Sequence, residues 1–213
     1  MTFIGTVFYY AAKFFFRALF VIYNRLEVRG FDNIPVGRQV IVASNHASNV
    51  DPPLIGGVFP GRLRYLAKES LFRVPLLGFF IRVLGAIPVA REDSQRAGAV
   101  IKLMLAKLKE GESILIFPEG TRSESGVLKP LEGGVALLSV MSGVPVLPVY
   151  VGGSHRVCPA GKSIPRPVKL TITFSRPVFP SEDHIGDREK RGILLKELEG
   201  AMSAMREGAA SHD

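Results

Sequence analysis

From residue 30 onward, short apolar runs alternate with stretches of helical periodicity. RQVIVASN (38–45) reads as a buried strand, and so do RLRYLAK (62–68), AIPVA (86–90), SILIFPEG (113–120) and VPVLPVYVGG (144–153). VKLTITFSRPV (168–178) alternates apolar with polar residues, as a more exposed strand does. Between these runs the periodicity is helical. SLFRVPLLGFFIRVLG predicts a helix with Pro75 near its start. SQRAGAVIKLMLAKLKEG predicts one capped by Ser94 and ended by Gly111. GGVALLSVMSG and the closing DREKRGILLKELEGAMSAMREG predict two more. Strands interleaved with helices define an α/β layered fold: a mixed, mainly parallel central sheet flanked by helices. The sequence shows no internal repeat, low-complexity tract or evident linker.

The first 26 residues follow a different pattern, apolar almost throughout. On a helix, Thr6, Tyr10, Lys13, Arg17 and Asn24 fall within a stripe of roughly 60°. A removed signal peptide is not expected, because a basic start and a small-residue cleavage site are both missing. About 24 residues at ~1.5 Å each would reach across a ~30 Å hydrocarbon core. Lys13 and Arg17 would then lie mid-bilayer at ~2.5–3.5 kcal/mol each, and the apolar residues return only ~0.3–0.6 kcal/mol each. A helix lying in the interface avoids that cost while keeping its apolar burial. The expected organisation is therefore a membrane-associating helix over 1–27 and a catalytic domain over 28–213. The preferred reading is a monotopic helix with Lys13 and Arg17 at headgroup level; a spanning helix and a helix packed on a soluble domain stay open.

Composition sharpens this picture. Hydrophobic residues make up 47% of 213, enough for a sizeable core. The net charge is +8 and the pI about 9.8, which implies an acidic partner. Residues 60–110 hold ten Lys or Arg against four Asp or Glu, and so carry six of those eight charges. Nucleic acid is not the expected partner, since no binding motif accompanies the charge and an apolar N-terminal helix does not serve it. GKS at 161–163 is not a phosphate loop, because Arg156 stands where the first glycine is required. A lone cysteine, Cys158, excludes an internal disulfide.

Strand ends carry the candidate chemistry. NHASNVD puts His46 at the end of one strand and Asp51 at the start of the next element. A carboxylate there can hold one ring nitrogen and leave the other as a base; it can equally be a turn or capping residue before two prolines. FPEGTRS (117–123) puts Glu119 and Arg122 beside an irregular Pro-Gly backbone, as phosphate or hydroxyl ligands or as a surface ion pair. GAIPVAR delivers Arg91, and RLRYLAK delivers Lys68, at the ends of their strands. His155, His184 and His212 have no motif around them and read as structural or exposed.

Taken in order, NHxSxxD, Gly-x5-Arg, FPEGTRS and VPVLPVY resemble the glycerolipid acyltransferase family, over about Val28 to Ser175. One departure is Ala90, where many relatives carry Asp or Asn; it bears on the shape of the acceptor site rather than on the reaction. The resemblance implies an acyltransferase with His46 as general base and Asp51 as its orienting partner. The acyl group would move from a thioester of coenzyme A or acyl carrier protein to the sn-2 hydroxyl of lysophosphatidic acid, in phospholipid synthesis. Another lysophospholipid or glycerol-3-phosphate as acceptor, and a noncatalytic membrane scaffold, stay open. The implied acceptor residues are Arg91 and Arg122 for phosphate, with Glu119, Gly120 and Thr121 beside them. Lys68 would serve the phosphate or the oxyanion. No bound cofactor and no metal are expected. The family attaches to membranes through N-terminal hydrophobic helices, so a place on the cytoplasmic face of a membrane is expected. No enzyme nucleophile is called for, and the sequence has no GxSxG elbow.

Overall fold

The computed structural model describes residues 3–89, 97–123, 125–157, 165–181 and 186–210. Its centre is a seven-stranded sheet in the order β1-β7-β6-β2-β5-β3-β4. The strands are β1 (Glu27–Arg29), β2 (Ile41–Ser44), β3 (Leu63–Lys68), β4 (Ala86–Val89), β5 (Ser113–Ile116), β6 (Val146–Gly152) and β7 (Thr171–Phe174). Five of the six pairings are parallel; β6 with β7 is antiparallel. The expected mixed, mainly parallel sheet is what forms. Its central strands are apolar on both faces because both faces are covered: β2 reads Ile-Val-Ala-Ser and is fully buried.

Alternate residues of each strand feed two cores. Val40, Val42, Leu115, Leu147 and Val149 pack toward the helices α1 (Phe3–Asn24), α2 (Asp51–Val58) and α3 (Leu77–Val83). Ile41, Ala43, Ile114 and Val146 face α4 (Ala97–Lys109), α5 (Gly134–Ser142) and α7 (Asp187–Ala210). A short α6 (Ser154–Val157) follows β6. Helix α7 has the usual soluble design: Leu194, Leu198, Met202 and Met205 form a buried stripe at helical spacing.

Two expectations need correction. The single helix over 70–85 is two elements, a 3-10 turn Glu69–Arg73 and α3, because Pro75 cannot continue a helical hydrogen-bond ladder. In α1, the polar stripe does not face outward as a whole. Lys13 and Asn24 are buried against the domain. Lys13 Nζ donates to the carbonyls of Phe59 and Gly61, the latter at 2.8 Å. Asn24 Nδ2 donates to the carbonyls of Arg166 and Val168 at 3.0 and 2.9 Å. Thr6 Oγ1 accepts from Arg62 at 2.7 Å. Arg17 alone of the two cations is exposed. The outward surface is instead apolar, with Phe8, Phe14, Phe15, Leu19 and Ile22 all exposed. The reason is elementary: backbone carbonyls at the rim of the domain need donors, and a helix that packs there supplies them from its polar stripe. The N-cap expected at Ser94 lies outside the described residues, as do Cys158, His184, His212 and the GKS stretch.

Candidate active site

Two neighbouring parallel strands build the site at their C-terminal ends. Ala43 of β2 lies opposite Ile116 of β5, and His46 and Glu119 each come three residues beyond that register. Open α/β sheets present their ligand sites at this edge.

His46 Nδ1 lies 2.9 Å from Asp51 Oδ2, with both side chains buried. The same oxygen accepts the backbone N–H groups of Ala47 and Ser48 at 2.8 Å each. An oxygen that already accepts two N–H bonds requires a donor from the ring, which puts the proton on Nδ1 and the lone pair on Nε2. Asp51 can occupy this place because it opens α2, where Pro52 and Pro53 cost nothing: their missing N–H groups have no intrahelical partner anyway.

The FPEGTRS loop fixes the backbone of the histidine from both sides. Glu119 Oε1 accepts from His46 N at 2.8 Å, and Ser123 N donates to His46 O at 2.7 Å. Glu119 Oε2 accepts from Lys129 N at 2.9 Å. Glu119 is thus a buried brace between two backbone segments, with both oxygens engaged. Gly120 has φ +69, and a Cβ there would lie 2.4 Å from Glu132 Oε1. The turn therefore favours glycine for its conformation, and a Cβ would also require the Glu132 side chain to move.

Arg122 is exposed and donates to Asn49 Oδ1 at 3.0 Å, which places its guanidinium over the loop that carries the dyad. Thr121 Oγ1 accepts from Lys129 Nζ at 3.1 Å. Lys68 is exposed at the end of β3, the strand beside β5. Arg91 lies outside the described residues, two positions past the end of β4.

Three participants are not visible as chemistry in the sequence. Phe117 stacks on the His46 ring, centroids 3.9 Å apart at 19°, and so fixes the plane of the imidazole. Asn45 brackets the next strand, donating to Val151 O at 3.0 Å and accepting from Val151 N at 2.7 Å. Lys129 Nζ holds the FPEGTRS turn at Thr121 and at the carbonyl of Arg122. Phe117 and Asn45 stand inside the quoted motifs, which was their available signal; Lys129 had none.

This arrangement holds an imidazole with Nδ1 bonded to a buried carboxylate and Nε2 left over, a geometry that can serve proton transfer. The acyltransferase family profile matches residues 25–152, and the chain belongs to that family. A 1-acyl-sn-glycerol-3-phosphate acyltransferase of Bacillus subtilis (strain 168) is 30% identical, over 84% of this chain and 91% of its own length. A chloroplastic 1-acyl-sn-glycerol-3-phosphate acyltransferase of Brassica napus is 25% identical over 83% of this chain, but the match spans only 52% of that relative's length. The crystal structure of the 1-acyl-sn-glycerophosphate acyltransferase PlsC from Thermotoga maritima superposes with a TM-score of 0.71, at 30% identity, covering 91% of this chain and 79% of that one.

Proposed function

We propose that this chain transfers a fatty acyl group from an acyl thioester to the sn-2 hydroxyl of lysophosphatidic acid, giving phosphatidic acid for phospholipid synthesis. The observation that carries the reading is the His46–Asp51 pair, held at 2.9 Å with the ring braced on both sides of its backbone. The names of the Bacillus subtilis and Thermotoga maritima relatives support the choice of acceptor.

In this reading His46 Nε2 takes the proton of the acceptor hydroxyl as its oxygen attacks the thioester carbonyl. The C–O bond forms and the carbonyl becomes an oxyanion. Collapse re-forms the carbonyl and breaks the C–S bond, and the imidazolium returns its proton to the leaving sulfur. Asp51 keeps the proton on Nδ1 and stabilises the cation that forms. Arg91 and Arg122 take the acceptor's phosphate, Gly120 and Thr121 shape the turn beside it, and Lys68 serves the phosphate or the oxyanion. Glu119 acts through the backbone it holds. The donor is a thioester of coenzyme A or of acyl carrier protein; the basic 60–110 region suits either acidic carrier.

The same reading places the protein on a membrane, at the cytoplasmic face, with α1 lying in the interface. Among the described residues α1 is the one helix long and apolar enough to cross a bilayer. Its polar side is already engaged by the domain, which leaves the aromatic side for lipid.

The test is purified protein in detergent with lysophosphatidic acid, other lysophospholipids and glycerol-3-phosphate, each with both thioester types. Phosphatidic acid formed from lysophosphatidic acid with the highest kcat/KM is the expected result. A preference for another acceptor would redirect the reading within the family. Folded protein that binds vesicles yet transfers nothing would replace it with a scaffold role.

A further inference from the structure

We propose that residues 71–79 form a second lipid-inserting element: a preformed wedge that enters a phospholipid surface beside the mouth of the active site. The proposal rests on the membrane reading of α1, and its test separates the two.

The segment LFRVPLLGF (71–79) shows its apolar side chains to solvent, apart from the buried Phe72. Leu71, Val74, Leu76, Leu77 and Phe79 are all exposed, and Leu76 is 72% exposed at the tip. Leu76 is also one of only two non-glycine residues with positive φ among the described residues. It has φ 62 and ψ −57, and Leu77 N donates across it to Pro75 O at 2.7 Å. A γ-turn of that hand is rare and strained for an L residue. Glycine would hold such a turn at no steric cost, yet the chain places a large apolar side chain there and aims it outward.

The wedge is rigid at its base. A Cβ at Gly78 would lie 2.4 Å from Phe72 O, so the two limbs of the turn touch through their backbones. Arg82 ties them together: its Nη2 donates to Phe72 O at 3.1 Å, its Nη1 to Gly78 O at 3.4 Å, and its guanidinium lies over the Phe72 ring. The tip is therefore not an adaptable loop awaiting a partner's shape.

Position and charge identify the occupant. Phe80, on the wedge's own helix, meets the half-buried Phe16 of α1 at 6.0 Å between centroids, so α3 packs beside α1 and carries the apolar tip next to it. Arg73, with a side chain 79% exposed and bonded to the exposed Glu69 at 3.2 Å, and Lys68 flank it, two cations to one acid, as suits the headgroup level of an anionic bilayer. The segment leaves β3 directly after Lys68, at the sheet edge where β5 delivers Phe117 and Glu119. An acceptor lipid could then pass from the leaflet to His46 without its acyl chain crossing water.

The sequence contains no tryptophan, so a single introduced indole reports on one place. Leu76→Trp, Leu77→Trp and Phe14→Trp are made in the full chain and mixed with vesicles of anionic phospholipid, with and without brominated acyl chains. The expected result is a blue shift and bromine quenching at all three positions. Quenching at Phe14→Trp with Leu76→Trp and Leu77→Trp remaining water-exposed would overturn the wedge and leave the α1 reading standing. No quenching at any position would overturn both. A blue shift at the tip without vesicles that depends on protein concentration would assign the surface to a second copy of this chain, and would also overturn the proposal. Leu76→Gly supplies the check on folding: it relieves the strained turn, so the fold should hold or tighten. Vesicle partition should nonetheless fall, by roughly tenfold when combined with Leu77→Ser. Unchanged partition in that pair would count against the wedge.

Discussion

The two ends of α2 are built alike and used differently. At its N-terminal end sits a buried acid, Asp51, which takes two backbone N–H groups and the His46 ring. At its C-terminal end sits a buried base from another helix, Lys13, which donates to the carbonyls of Phe59 and Gly61. Each charge complements the helix dipole at its end and satisfies backbone groups of the loop that adjoins it: Ala47 and Ser48 N–H before the helix, Phe59 and Gly61 C=O after it. The acid holds an imidazole whose second nitrogen it leaves free of its own bond; the base holds only backbone carbonyls. In the proposed reaction one end of the helix orients the base, while the other fastens the outer helix. The lesson is that a buried charge marks a reactive site only when its partner still has an unspent function.

The sharpest way to break that comparison is at the reactive end. His46→Ala should lower kcat by about 100- to 10,000-fold, the usual worth of a general base, in a chain that still folds with a lower unfolding midpoint, since buried Asp51 and Phe117 lose their ring partner. A variant with near-normal turnover would remove His46 from the mechanism. Asp51→Asn comes next. It should reduce kcat by up to about 10,000-fold, because the amide no longer demands a proton on Nδ1. It should also cost about 1–3 kcal/mol of stability, since the Ala47 and Ser48 N–H groups lose their charged acceptor. Loss of stability without loss of activity would make Asp51 a structural fastener of the turn alone.

The reactive end was legible in the sequence because it is local. His46 and Asp51 stand five residues apart across one strand-to-helix turn, so their pairing is nearly dictated by NHASNVD itself. The parallel strands were legible for a similar reason: each is a short apolar run, and burial on both faces erases the alternation. The orientation of α1 was not legible. Its partners are Phe59, Gly61, Arg166 and Val168, between 46 and 144 residues away in the chain. A polar stripe on a hydrophobic helix signals amphipathicity but not which side meets solvent. Helix α7 buries its Leu and Met stripe, whereas α1 buries Lys13 and Asn24 and exposes Phe14 and Ile22. The same periodic pattern serves opposite surroundings, and only the tertiary contacts decide between them. Glu119 was legible as a site residue for its motif, but not as a brace, because its partners are the backbone amides of His46 and Lys129.

Smaller effects sharpen the contrast at the structural end. Lys13→Met should destabilise the protein by about 1 kcal/mol at pH 7. Two carbonyls lose their donor, and relief from burying an ammonium group offsets part of that loss. Turnover on an acceptor dispersed below aggregation should stay within about threefold, because the eight residues of α2 set Lys13 some 12 Å from Asp51. A hundredfold fall in kcat with the fold intact would show that both ends of α2 serve the reaction.

The smallest effect is a pH dependence carried by the same lysine. Burial, and then the nearby Arg17, bring Lys13 down from its ordinary 10.5 to about 8. Below pH 8 the ammonium is charged in the folded and unfolded chains alike, and the cost of burying it is present in full. Between about 8 and 10.5 the folded chain has released its proton while the unfolded chain still holds one. The unfolded state then binds more protons, so stability rises with pH across that window and levels off above it. The groups facing Lys13 do not reverse the sign. Arg17 on α1 acts in the same direction as burial, by repulsion. Tyr9, whose ring lies 5.7 Å from Nζ, is itself raised above its ordinary 10, first of all by burial. Denaturant unfolding of wild type and Lys13→Met in detergent at pH 7.5, 9 and 10.5 isolates the contribution, since every other titrating group is common to both. The stability of the wild type relative to the variant should increase with each step. A difference that stays flat would mean that Lys13 titrates in the fold as it does in water, and that its two carbonyl partners, rather than its burial, set its chemistry.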